Sequence, residues 1–585
     1  MALKWGLFAL TALSGCHAWA AAPFVAPAVP SGSIQVMLCP TEVATPGSTR
    51  LVTFGLPLPR GSLTSTQLDT VRLLKGANEV AIFVDQLTPW RHRTNAALDG
   101  TSVRVARVQL NYSFAGTACE PVTVSWGGPP RTQTRPMLVT PRTGWHTVTT
   151  GTFVSADAVE EPDVYAVLPK EWLANGVLKG VRNVPFDASV PLTRENPATM
   201  DATQHWPGYT ELDHAQKNNF FSMINEDDPA VTTLCEYKTD FDPWLYDRSS
   251  TMYALYFRSG SFKALREAVR ASDFYLDHIN ASGYFTLKNG DAKYVYAENL
   301  AYTIWATGDT SLSPKLNAML GALDNFNHVL PTDPGRMWTE RHAAFKLLSN
   351  VIAYELNGGS AQRDKVNAII TQLERHQNGA DGTIPQPAGY VDGAFYHLGS
   401  QHDNDWAAGS YGASSWMSVL LTDALLRAYL TAEDNTTAVI LRRLGNFLRA
   451  SVITTTAHSY DTYSGPLASP RYGVLSNGAT GRVYADDVEH GLDVATGLAW
   501  SAYFADLTGQ SALADQFRDT AEDLYFTYDT SVNHWVRPDG PASGVTAFRV
   551  SPWRKYGWEH RVSVGFAWAM GAGGASETIF ANGFQ

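Results

Sequence analysis

The chain has 585 residues, 44% hydrophobic and 17% charged, a composition that excludes disorder and supports a large core in two or three domains. Its formal net charge is −12 and no stretch forms a Lys/Arg tract, which argues against a nucleic-acid partner. The 17 Trp, 25 Tyr and 25 Phe suit either a large core or surfaces that stack on sugar rings.

Residues 1–20 read as an export signal. Lys4 supplies the positive region, Trp5 to Leu13 a short apolar run, and Ala18-Trp19-Ala20 a small-x-small cleavage site. Leu13-Ser14-Gly15-Cys16 also fits a lipidation box, so a lipid anchor at Cys16 is an alternative to simple cleavage. The expectation is an exported protein, periplasmic or secreted, with no membrane span, since the apolar run is too short. In an oxidising compartment Cys39 and Cys119 are the expected disulfide, which leaves Cys235 over.

Residues 21–32 are a Pro/Ala linker. From 33 to 148 short alternating runs such as SIQVMLC, RLVTFGLPL, SVRVARVQLNYSF and PVTVSWG are punctuated by Gly, Pro and Asn. That period of two predicts a β-sandwich. Residues 149–240 are less regular and form a connecting region with one helix near 214–226. From 241 to 575 an apolar helix, a short turn and a more charged helix recur, with turns at YFRSGS, WATGDT, YELNGG, YLTAED and FADLTGQ. A helix apolar all round is buried and an amphipathic one lies outside, so the repeat predicts an (α/α)6-type toroid. Residues 576–585 are a tail. The fold class is thus multidomain β + α, a β-sandwich followed by a toroid.

The segments preceding the six apolar helices are chemically rich: PWLYDRS, KYVYAEN, MWTERH, FYHLGSQHDNDWAAGSYG, VYADDVEHG and PWRKYGWEHR. Parallel inner helices bring these starts to one mouth, where binding groups on a rigid scaffold are expected. The mouth offers Tyr246, Arg248, Arg341, His342, His402, Tyr411, His490, Arg554, Tyr556 and His560 as catalytic candidates. Trp338, Tyr396, Trp406, Trp553 and Lys555 are candidates for holding substrate. Tyr, His and Arg together suit β-elimination on a uronate polymer. Tyr or His moves the proton beside the carboxylate, and Arg offsets the charge that develops. His342 or His402 with Tyr411 is the expected base and acid; Arg248, Arg341 and Arg554 are expected to meet the uronate.

The alternatives are hydrolysis by paired acids, drawn from Asp247, Glu298, Glu340, Asp403, Asp405, Asp486, Asp487 and Glu489, and a non-catalytic glycan-binding protein. No metal or other cofactor is required. A divalent cation on His402-Asp403 or on Asp486, Asp487, Glu489 and His490 is a weaker alternative, since neighbouring residues do not easily share one ion. The expected partner is an acidic polysaccharide or oligosaccharide.

VTFGLPLPRGSL, VRLLKGANEVAIFVDQLTPW and DGTSVRVARVQL resemble the leading domain of exo-rhamnogalacturonan-lyase-like proteins. In these a G-x-P-x-x-x-G turn is followed by a strand with a tryptophan and then by D-G-S-V-R. The resemblance covers about 60 residues by the span of these motifs, and the helical part is similar in architecture to toroid-type polysaccharide lyases. It implies an exported carbohydrate-active lyase. The chain departs from that group in lacking a C-terminal β domain, and no catalytic motif of the group maps onto it residue by residue.

Overall fold

The computed structural model describes residues 22–137, 142–148, 159–186, 244–325, 339–378, 391–401, 406–460, 463–476, 490–534 and 560–571. The expected export signal, Cys16, Cys235, the helix near 214–226 and the tail lie outside the described residues. The described architecture is a β part followed by a helical part.

Two antiparallel sheets form the β part. In the first, β1 (Gly32–Pro40) lies between β7 (Glu120–Trp126) and β10 (Val164–Val167), and β3 (Arg72–Lys75) joins β7 to β4 (Asn78–Val80). The second is β2 (Thr49–Pro57), β6 (Val103–Ser113) and β5 (Ile82–Pro89), with β6 central. β7 alternates strictly, with Val122, Val124 and Trp126 buried, as a strand with one face on a core must. The Cys39–Cys119 disulfide joins β1 to the residue before β7. The β part continues past the expected boundary at 148. β8 (Trp145–Thr147) pairs with β9 (Glu160–Pro162), and β10 pairs with β1 through Met37 opposite Val167.

Helix α1 (Lys170–Leu173) leads out of the sheets. The helical part then alternates helices buried over nearly their whole length with helices that carry more exposed residues. α2 (Arg248–Ser259), α4 (Glu298–Thr307), α6 (Glu340–Asn357), α8 (Ser415–Leu430) and α10 (Gly491–Leu507) are buried over nearly all their residues. α3 (Phe262–Asp277), α5 (Lys315–Asp324), α7 (Ser360–Gln377), α9 (Asn435–Ser451) and α11 (Ser511–His534) lie between them in sequence, and α12 (Phe566–Gly571) ends the described chain. Each buried helix contacts the next one, α10 contacts α12, and the turn at 563–565 touches α2, so the series returns to its start.

Local chemistry sets these boundaries. Asp247, Ser261 and Asp434 cap α2, α3 and α9 by accepting from backbone N–H groups of the first turn. Gly260 and Gly308 end α2 and α4 in the left-handed conformation, which glycine adopts without a Cβ clash.

The plain turns at the C-terminal ends of the buried helices are the docking surface of the β part. Gly308 packs against Thr53 and Arg107, and Gly358 against Arg91. Arg60 pairs with Glu433 and Arg93 with Asp434. The Tyr503 hydroxyl donates to the Ala22 carbonyl. A Cβ on Gly55 would stand 1.8 Å from the Trp305 carbonyl oxygen, which explains the glycine inside the β2 strand.

Residues 174–186 push farther in. Lys179 Nζ lies 3.1 Å from Glu298 Oε1 and 3.2 Å from Asp423 Oδ1. Arg561 Nη2 holds the second oxygens of the same two acids, at 3.2 and 3.1 Å. Beside them Glu355 takes Arg427 Nε at 2.7 Å and the Arg104 guanidinium from β6, which lies 4.0 Å over the Trp305 ring. All seven side chains are buried. Buried charges of this kind need partners on every side, and here these come from six segments far apart in sequence.

Candidate functional site

The starts of α2, α6, α8 and α10 meet around Trp416, which is fully buried in the first turn of α8. Arg341, in the first turn of α6, donates from Nη1 to the Tyr246 hydroxyl at 2.8 Å. Its guanidinium carbon lies 5.7 Å from the Trp416 ring centre. The Tyr246 ring meets Trp416 edge-on at 5.8 Å, and His490, at the start of α10, stacks on it at 5.1 Å and 6°. Tyr472 is half-buried and packs 5.8 Å from Trp416 and 6.4 Å from His490.

Two histidines here lie against acids, and His490 is hydrogen-bonded to its own. His490 Nδ1 is 2.9 Å from Asp493 Oδ2. His397 Nδ1, on the short strand β11 (His397–Leu398), is 2.9 Å from Glu340 Oε2, while Glu340 Oε1 accepts from the Ser414 N–H at 2.8 Å. An acid on one ring nitrogen fixes the orientation of an imidazole. His342 differs: its Nδ1 meets the Thr339 hydroxyl at 2.8 Å. Burial first, then the charges of Arg341 and Lys293, hold it well below the usual histidine range. Burial opposes the charge on Arg341, but the Tyr246 and Tyr472 hydroxyls outweigh it and raise its pKa. Burial also raises Asp493, against the opposing pull of His490.

Tyr246 sits on unusual backbone. Tyr246 and Asp247 have φ of 70° and 64°, consecutive left-handed residues with side chains. Such positions cost about 1–3 kcal/mol each and persist where surrounding contacts impose them, often at functional sites. Burial pushes Asp247 up to about 6, although Arg561 and Ser250 pull the other way.

The structure therefore gathers Tyr246, Arg341 and His490, with His342 adjacent to Arg341. It places other expected site residues elsewhere. Arg248 faces Glu267 across the α2–α3 seam. His560 is buried and held at about 3 by burial and the Arg258 charge. The Tyr396 hydroxyl accepts from the Val391 N–H at 3.0 Å inside the fold. Tyr411 is half-buried on β12 (Tyr411–Ala413), opposite Leu398. Trp406 is expected to be a sugar platform, but it is lodged against His397 between glycines. A Cβ on Gly412 or Gly473 would come within 2.7 or 2.8 Å of its ring. Gly412 of GSYG and Gly473 of RYGV thus make room for a buried tryptophan. His402, Trp338, Trp553, Arg554, Lys555, Tyr556 and the acids Asp403, Asp405, Asp486, Asp487 and Glu489 lie outside the described residues.

Sequence reasoning passed over Trp416, His397, Tyr472 and Asp493. Trp416 and His397 flank the glycine-rich run in the sequence, and Asp493 is three residues after His490, a helical spacing that places both on one face.

One donor set among the described residues has the spacing of a cation site: Glu42, His146 and Glu161, with ligand atoms within 4.8 Å of one another. The residues do not fit an ion. Arg266 donates to Glu42 and Glu161, Arg270 donates to Glu161, and Tyr165 donates to it as well. Burial opposes a charge on His146, but Asp163 and Glu161 outweigh it and raise it to about 9, and its Nδ1 is already engaged by Asp163 Oδ1 at 3.0 Å. No helix of the described residues is long and apolar enough to cross a membrane. No protein-family model matches the chain, and comparison with curated proteins finds no match.

Proposed function

We propose that this protein is an exported lyase that cleaves a uronate-containing polysaccharide by β-elimination, built as a β-sandwich in front of an (α/α)6-type toroid. The carrying observation is the 2.8 Å bond from Arg341 to the Tyr246 hydroxyl, with His490 and Trp416 beside it, where the buried helices begin. The closed series of helix contacts supports the toroid. The Cys39–Cys119 disulfide supports an oxidising compartment.

In this reading the uronate carboxylate meets Arg341, whose charge lowers the cost of the enolate-like transition state. Tyr246, with its oxygen held by the same guanidinium, takes the proton from C5. The C5 electron pair forms the C4–C5 double bond, the C4–O bond breaks, and the leaving oxygen receives a proton from His490, which Asp493 orients.

The described acids favour elimination over hydrolysis. Asp247 caps α2, Glu340 is spent on Ser414 and His397, and Glu298 on Lys179 and Arg561. The test is ultraviolet absorbance of an unsaturated uronate on a panel of acidic polysaccharides. Absorbance rises with the wild type and is lost in Tyr246→Phe. New reducing ends without absorbance would replace this reading with hydrolysis, and binding without either signal would leave a glycan-binding protein.

A further inference from the structure

We propose that Asp247 and Asn299 are a positioning pair that fixes the left-handed turn at 246–247 and thereby aims the Tyr246 phenol at Arg341. The inference rests on the reading above for its consequence in catalysis, and on geometry alone for the placement of the phenol.

Asp247 suits this turn as an N-cap, but the tyrosine before it does not. A tyrosine with φ of 70° is an outlier for a bulky side chain, so contacts beyond its own backbone preference must hold it. They come from two elements. From α2 itself, the Ser250 N–H donates to Asp247 Oδ1 at 3.0 Å and the Ser250 hydroxyl to Oδ2 at 2.5 Å. From the first turn of α4, Asn299 Nδ2 donates to the same Oδ1 at 3.1 Å. The Asn299 amide is itself fixed. Its nitrogen also donates to the Tyr296 carbonyl at 3.2 Å, and its oxygen lies 3.3 Å from the Ser272 hydroxyl of α3. Next to this bond the Tyr246 N–H donates to the Tyr296 hydroxyl at 2.6 Å.

The turn is thus stapled to α4, the helix that follows it in the circuit, while the phenol reaches across to α6. Asp247 is suited to both tasks. Aspartate is a strong N-cap and one of the few side-chain residues that tolerate the left-handed region. Asparagine shares both properties, and alanine has neither. Losing the Asn299 contact frees the turn to relax toward ordinary backbone, which carries the Tyr246 ring away from the guanidinium. A displacement of about 1 Å in a reacting group costs about 100-fold in rate.

The test uses the full-length protein labelled with 3-fluorotyrosine. The Tyr246 fluorine line is identified among the 25 tyrosines by its loss in Tyr246→Phe, and its response to losing the guanidinium is set by Arg341→Ala. The expected result is that Asp247→Ala and Asn299→Ala both move the line toward its Arg341→Ala position, while Asp247→Asn leaves it near wild type. On a substrate that is cleaved, the two alanine variants lower kcat by about 100-fold with little change in KM, and Asp247→Asn restores it. A Tyr246 line unmoved in both alanine variants overturns the proposal. If Asp247→Ala does not fold, Asn299→Ala, which keeps the cap, decides alone. If the wild type eliminates nothing from any uronate polymer, the lyase reading fails while the fluorine line still decides the positioning.

Discussion

Replacing Lys179 with methionine removes one of the two cations that bridge Glu298 and Asp423; Arg427 faces Glu298 alone. Methionine keeps most of the side-chain volume, so the change tests charge rather than packing. In the wild type each acid has one oxygen on Lys179, at 3.1 or 3.2 Å, and the other on Arg561, at 3.2 or 3.1 Å. Without Lys179, Asp423 is left with Arg561 alone, and Glu298 with Arg561 and the Arg427 guanidinium 4.0 Å away. Breaking a buried pair in this way costs about 3–5 kcal/mol, because the remaining charge stays desolvated. The pH dependence has a definite sign. Burial works to raise Glu298, but Lys179, Arg561 and Arg427 overcome it and hold Glu298 at about 2, below its ordinary 4.5. Its depressed pKa stabilises the fold above pH 4.5, and that contribution is lost as pH falls toward 2. In Lys179→Met the carboxyl takes up a proton at higher pH than in the wild type, which relieves the variant's penalty. Urea unfolding followed by tryptophan fluorescence at neutral pH and near pH 4 measures both effects. The destabilisation is expected to be about 4 kcal/mol at neutral pH and to shrink in acid, and Glu298→Gln added to Lys179→Met recovers part of it. A loss below about 1 kcal/mol at neutral pH, within the range of an exposed pair, or a loss independent of pH refutes the reasoning.

Two further predictions use the same linkage. Burial raises Asp247 from 3.8 to about 6, so its ionisation works against folding; the favourable state exists below 3.8 and is lost as pH rises through 6. Asp247→Asn keeps the cap and removes that loss, so relative to wild type it gains stability between pH 4.5 and 7, by up to about 3 kcal/mol, and equal midpoints at both pH values would contradict it. For His146 the folded pKa lies near 9 against an ordinary 6.5, so its pairing with Asp163 and Glu161 stabilises fully below 6.5 and fades through 9. His146→Gln therefore lowers the thermal midpoint at pH 6 and converges with wild type in alkaline buffer; a constant gap across that range would mean that packing, not charge, is lost.

Much of this molecule is legible in its sequence because the signals are local. The alternation of β7, the glycine that ends α2 and the aspartates that cap α2 and α9 each act within a few residues, so the pattern that announces them also builds them. The recurrence of apolar and amphipathic helices likewise announces which helices are buried. The expected partners Cys39 and Cys119, 80 residues apart, are joined because β1 and β7 are neighbours in one sheet.

What only the tertiary structure decided is which chemical groups face each other. Arg248 and Arg341 look alike in the sequence, each just inside a helix beside a charged neighbour. Packing sends Arg248 to Glu267 and Arg341 to Tyr246. Trp406, in a polar glycine-rich run, resembles a surface platform, and becomes a buried wedge because glycines from two separate segments vacate its space. Lys179 carries no signal at all: its partners Glu298, Asp423 and the Arg427 carbonyl-binding guanidinium lie more than a hundred residues away. Helix and strand periodicity fix which face of an element is buried, whereas a hydrogen bond between charged groups depends on distances of a few tenths of an ångström across elements, and those are set only when the elements have packed together.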